Sequence, residues 1–123
     1  VISTDLNDYG YGKSGVDFLM EFKPLAPAVV TNPPYKLANE FIIKCMDMKL
    51  PYFAMLLRLA FLEGKQRRQE IYNRQPPARV HVFSERLTMW RGDEVQPEGS
   101  SGFIAFAWFV WEQGKTDTRL DWI

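Results

Sequence analysis

Asn32-Pro33-Pro34-Tyr35 is the stretch of this chain whose residue types and order best suit chemistry. An amide, two prolines and an aromatic close the apolar run Ala28-Val29-Val30-Thr31. The amino group of a base is a poor nucleophile because its lone pair is delocalised into the ring. Two acceptors set on its hydrogens draw the nitrogen towards tetrahedral geometry and steady the charge that develops while a methyl group is delivered. The Asn32 side-chain oxygen is one such acceptor and the Pro33 carbonyl the other. Pro34 has a fixed φ and no N–H, so the Pro33 carbonyl is expected to be held rigidly and not spent on a turn. Tyr35 offers a ring on which the base can stack. Catalysis of this kind is mostly positioning and fixed dipoles, and a base within a duplex must be flipped out to reach it. The plainer reading of the same four residues is a Pro-Pro turn between a strand and a helix.

The elements around the tetrapeptide are those the chemistry needs. Ala28 to Thr31 is a continuous β-prone run, as in a strand buried on both faces. A residue before proline is pushed to extended geometry, so the strand should end at Asn32. Lys36 to Lys49 reads as a helix with Leu37, Phe41, Cys45 and Met48 on one stripe, widened by Ala38, Ile42 and Met46. Tyr52 to Leu57 reads as a second buried strand, Lys65 to Arg74 as a polar helical connector and Arg79 to Phe83 as a third strand. Glu85 to Gly102 reads as a long loop, Phe103 to Trp111 as the strongest strand, and Glu112 to Ile123 as a tail. Further upstream, Val1 to Thr4 is a short candidate strand and Asn7 to Gly15 a glycine-rich loop. Alternating strands and helices imply an α/β domain with a mostly parallel sheet. The last two strands, joined by a loop without a clear helix, are candidates for antiparallel pairing.

The bulk numbers fit one domain: 123 residues, 46% hydrophobic and 15% aromatic, enough for a real core. Fifteen basic and fifteen acidic residues give a formal charge of zero, so any nucleic-acid contact must come from a local patch rather than the whole-chain field. The single cysteine, Cys45, excludes an intrachain disulfide and a cysteine-rich metal site. No apolar run reaches the roughly 18 residues of a membrane span. A soluble, cytoplasmic protein is expected, without a metal.

Ala28 to Glu40 (AVVTNPPYKLANE) resembles the catalytic segment of S-adenosylmethionine-dependent amino methyltransferases, above all the adenine-specific DNA methyltransferases of phages and prophages. Val1 to Leu6 (VISTDL) resembles the family's second strand and its acidic residue, and Gly15 to Leu19 (GVDFL) the segment that binds the cofactor adenine. Tyr52 to Gly64 (YFAMLLRLAFLEG) resembles the strand after the catalytic one. Arg79 to Phe83 and Phe103 to Gly114 resemble the final strand pair. The resemblance implies an incomplete Rossmann-like methyltransferase sheet, mostly parallel with an antiparallel last strand. It implies S-adenosylmethionine as cofactor and DNA as partner, with Asn32, Pro33, Pro34 and Tyr35 as the catalytic segment. Asp5 would accept from the ribose hydroxyls and Asp17 would bind the cofactor's amino group, with Phe18 packing nearby. Trp90 and Phe103 are candidates for the aromatic that completes the base sandwich.

One departure matters. The family's first strand and glycine-rich cofactor loop should precede Val1, and no FxGxG-like element lies downstream. The expectation is a single catalytic domain over residues 1–123, truncated at its amino terminus and not competent by itself. In the family's sheet the missing strand lies between the second strand and the catalytic one. Its loss predicts a rearranged amino-terminal segment, or a homodimer that covers the exposed sheet edge beside Val29. Two other readings stay open: methylation of protein glutamine or RNA through the same tetrapeptide, and a non-catalytic remnant or structural domain.

Other residues have plainer roles. His81, between Val80 and Val82, reads as a strand residue with a local hydrogen bond, and Cys45 as core. Lys65, Arg67 and Arg68 read as a solvated helix face, with a nucleic-acid backbone as the second reading. Trp108 and Trp111 should point to opposite faces of their strand.

Overall fold

A computed structural model describes residues 27–85 and 104–123. The candidate strand at Val1–Thr4, the segment Gly15–Leu19 and most of the long loop lie outside the described residues. The rest is an α/β arrangement: one five-stranded mixed sheet with helices on one of its faces. The strands are β1 (Ala28–Thr31), β2 (Tyr52–Arg58), β3 (Arg79–Val82), β4 (Phe106–Glu112) and β5 (Arg119–Trp122), in the spatial order β1-β2-β4-β3-β5. Helix α1 spans Ala38–Asp47. Helix α2 (Lys65–Arg67) widens into a π turn over Arg68–Tyr72, where the Asn73 N–H donates to the Arg68 carbonyl at 2.8 Å. Among the described residues no helix is long and apolar enough to cross a membrane.

The expectation of a mostly parallel sheet with its last strand antiparallel is corrected. β1–β2 and β3–β5 pair in parallel, whereas β2–β4 and β3–β4 pair antiparallel. The strand read as the last, Phe103 to Trp111, is β4, and it pairs antiparallel with β3 as expected, but it is wedged between β2 and β3 and is not the final strand. The last strand lies in the segment read as a tail: Arg119-Leu120-Asp121-Trp122 runs parallel to β3 at the sheet edge. The Thr118 hydroxyl, donating to the Pro77 carbonyl at 2.6 Å, fixes its entry. Among the described residues β1 forms the opposite edge, and it is not buried on both faces, since Val30 is 64% exposed.

Helix α1 starts two residues later than its pattern predicts. A 3-10 turn at Tyr35–Leu37 precedes it, with the Leu37 N–H donating to the Pro34 carbonyl at 2.9 Å. That tighter turn leaves Leu37 largely exposed, and the buried stripe becomes Ala38, Ile42, Cys45 and Met46. At the other end Lys49 takes a left-handed φ of 55°. The Leu50 N–H reaches the Cys45 carbonyl and the Lys49 N–H the Met46 carbonyl, a Schellman closure that turns Leu50 into the core. Cys45 is core as expected, and its burial pushes the thiol up to about 12, so it stays protonated.

The core lies between the helices and one sheet face, formed by Phe53, Met55 and Leu57 of β2, Ala107, Phe109 and Trp111 of β4, and Val80 of β3. Phe53 and Trp111 stack with centroids 5.1 Å apart and planes 10° from parallel. The Trp111 indole N–H donates to the Gln75 carbonyl at 3.0 Å, which satisfies the one polar group buried with the ring. Trp108 turns to the opposite face and is half-buried, so the two tryptophans divide as the strand period requires. His81 is a β3 residue as expected, but its Nδ1 is buried without a hydrogen-bond partner among the described residues.

Candidate functional site

The tetrapeptide leaves β1 at its carboxyl end. Thr31, the last β1 residue, is in register with Met55, and β2 continues for three more residues to Arg58. The carboxyl ends of the two parallel strands therefore stand side by side, with that of β2 reaching further. In open α/β sheets this is the end where ligands bind. Asn32 is exposed at the exit of the strand, and Pro33 is buried beneath it. Pro34 is extended, with φ −54° and ψ 129°. The turn bond from Leu37 lands on the Pro34 carbonyl, one residue later than Pro33. The next N–H, of Ala38, goes to the Tyr35 carbonyl. Neither of these two turn bonds uses the Pro33 carbonyl.

Tyr35 is 43% exposed, and the guanidinium of Arg58 lies over one face of its ring, with Cζ 4.2 Å from the centroid. Contacts of this kind are worth about 0.5–1 kcal/mol at exposed sites. More important here, the contact occupies one ring face while Tyr35 keeps 43% of its surface exposed. Arg58 is the residue the sequence reading missed. Its signal was an arginine ending the otherwise apolar strand Tyr52-Phe53-Ala54-Met55-Leu56-Leu57, but nothing local says that this end meets Tyr35.

Beyond Arg58 the chain enters a 3-10 turn, Leu59–Leu62. A shallow, mostly apolar cleft of about 480 Å³ opens there, lined by Leu59, Ala60, Leu62, Glu63, Ile104 and Ala105. It belongs to the same end of the sheet, because the amino end of β4 pairs with the carboxyl end of β2. None of its lining comes from the tetrapeptide.

The basic cluster on α2 divides. Arg67 donates to the Glu63 carbonyl at 2.7 Å and to Asn39 Oδ1 at 3.4 Å, and its guanidinium covers the Phe61 ring at 4.2 Å. It ties α1 to the Leu59–Leu62 turn and is half-buried there. Lys65 and Arg68 remain exposed. Nearby, the Tyr72 hydroxyl donates to the Phe61 carbonyl. Burial pushes its ionisation well upward, partly opposed by the charge of Arg67, so it acts as a neutral donor.

Of the predicted site residues, Asn32, Pro33, Pro34 and Tyr35 stand together at the end of β1. Asp5, Asp17, Phe18, Trp90 and Phe103 lie outside the described residues. Among the described residues no three of His, Cys, Asp and Glu gather in a way that could hold a metal ion. No protein-family model, no curated protein and no solved structure matches this chain.

Proposed function

We propose that this chain acts in methyl transfer to the exocyclic amino group of adenine in DNA, with S-adenosylmethionine as methyl donor. The observation that carries the reading is the position of Asn32-Pro33-Pro34-Tyr35 at the carboxyl end of a parallel strand, with the Asn32 side chain exposed and the turn closed on Pro34. Asn32 Oδ1 and the Pro33 carbonyl would accept the two amino hydrogens, and the open face of Tyr35 would hold the base flat. The acceptors are neutral, so they orient the nitrogen lone pair without removing a proton in advance. This donor and acceptor set suits a co-substrate that brings its own electrophile. When bound, S-adenosylmethionine supplies that methyl group, and Asp5, Asp17 and Phe18 are the residues the family resemblance assigns to holding it.

The sheet supports the same reading. The segments that resemble the catalytic strand and its successor are parallel neighbours, and those that resemble the final strand pair are antiparallel neighbours. We therefore read it as an incomplete Rossmann-like methyltransferase sheet. The test is transfer of labelled methyl groups by the protein in its natural reading frame, offered DNA, RNA and a glutamine-bearing protein side by side. Label is expected in N6-methyladenine of DNA. Label in glutamine or RNA would move the function to that substrate, and no label in any of them would leave a non-catalytic domain.

Among the described residues β1 ends the sheet, and its edge is where a second copy would add. Sedimentation equilibrium is expected to show a dimer that Val30→Lys dissociates; a monomer at every concentration would exclude this interface.

A further inference from the structure

We infer that Arg58 is a phosphate-binding residue: stacked on Tyr35, it holds the phosphate attached to the nucleoside whose base lies on the other face of that ring. This rests on the reading above only in taking the same site, and it adds the group that recognises the backbone.

Among the other described arginines, Arg68 is exposed on the π turn, and the remaining four are each engaged. Arg67 bonds to the Glu63 carbonyl and Asn39, Arg74 to Asp47 at 2.8 Å, Arg79 to Glu112 at 2.6 Å, and Arg119 lies 3.6 Å from Asp121. Arg58 differs from these. It is half-buried, its guanidinium lies over Tyr35, and among the described residues no carboxylate or carbonyl accepts from it. A long side chain loses rotamer freedom when it is held in this way. Stacking uses only the face of the guanidinium. Its N–H donors lie in the plane and point outward around the rim, in the fork geometry that matches phosphate oxygens.

The position adds a second point. Arg58 ends β2 three residues past the register of the last β1 residue, so its charge stands at the mouth of the tetrapeptide site and not along the flank of the sheet. A flat ring with one face covered by a cation, beside an amide acceptor, matches the three parts of a nucleotide: base on Tyr35, amino group on Asn32, phosphate on Arg58. A chain with zero formal net charge needs such a local cation, since its overall field attracts no polyanion.

The experiment titrates the full chain with a thymidine-adenosine-thymidine trinucleotide, with dAMP and with deoxyadenosine. The Arg58 Nε–H and Tyr35 ring signals are followed by NMR at two salt concentrations. The trinucleotide or dAMP is expected to bind roughly tenfold tighter than the nucleoside, as suits one charge-assisted contact. Tighter binding of the trinucleotide identifies a strand phosphodiester, and tighter binding of dAMP a free nucleotide. Arg58→Met is expected to erase the preference while leaving the deoxyadenosine affinity within about twofold, and to lower the salt slope for the trinucleotide by about 0.7. Arg58→Lys should keep part of the preference. Equal weakening of all three ligands by Arg58→Met would make Arg58 a mere prop for Tyr35, and no weakening, or no binding by the wild-type chain, would overturn the assignment outright. Phosphate preference with no methyl transfer would sink the catalytic reading and leave this one standing.

Discussion

Asn32→Ala is expected to slow methyl transfer to adenine by roughly 10²–10³-fold, the usual cost of removing one fixed dipole aimed at a developing charge. The size follows from the chemistry proposed for the site. Only two acceptors meet the amino hydrogens, and the backbone carbonyl of Pro33 remains after the substitution. Losing the side-chain oxygen leaves the nitrogen half-oriented, so most of the loss should fall on the single-turnover rate and little on DNA affinity. The fold should hardly notice. Asn32 is exposed at the exit of an edge strand, and alanine is tolerated before proline, so the unfolding midpoint should shift by no more than about 0.5 kcal/mol equivalent. Undiminished transfer by a folded Asn32→Ala protein would remove the amide from the mechanism, and the proposed chemistry with it.

Trp111→Ala is expected to destabilise the fold by about 3–5 kcal/mol. The ring is fully buried, stacks on Phe53 at 5.1 Å and lies 6.1 Å from Phe109. Truncation opens a cavity in the core between the sheet face and the helices, beside Phe53 and Phe109. It also strips the Gln75 carbonyl of its donor, which adds the cost of a group left without its partner. Marginal stabilities of small domains are about 5–15 kcal/mol, so the variant should lose much of its resistance to urea. Trp108→Ala, on the half-buried face of the same strand, should cost clearly less. Equal urea midpoints for the two variants would contradict the division of the two faces.

The first β-α-β unit was legible because its signals are local. A β-prone run, two prolines, an apolar stripe and Pro51 mark β1, the turn, α1 and the start of β2. The phase of the stripe was not, because the Leu37–Pro34 bond tightens the first turn and rotates Leu37 outward. β5 hid in the tail because Arg119-Leu120-Asp121-Trp122 is short and alternates charge with apolar residues, a pattern that many surface segments share. The antiparallel pairing of β3 with β4 was legible, but the balance of parallel and antiparallel strands was misjudged for a different reason. Composition marks β3 and β4 as strands, but it does not say that β4 enters between β2 and β3. Arg58 and Arg67 show the same limit. Both are basic residues near apolar turns, and only the packed chain places one over Tyr35 and the other across Phe61.

The position of β4 also sets the order in which the molecule can assemble. β2 and β3 do not pair with each other; β4 joins them, and its residues are drawn from the last fifth of the chain. Until Phe106–Glu112 arrives, the sheet exists only as separate pieces, and Phe53, Met55 and Val80 lack the strand that closes their core. Such long-range closure makes folding slow, and it makes the described chain one cooperative unit. The site at the end of β1 therefore has no finished sheet behind it until Phe106–Glu112 has docked.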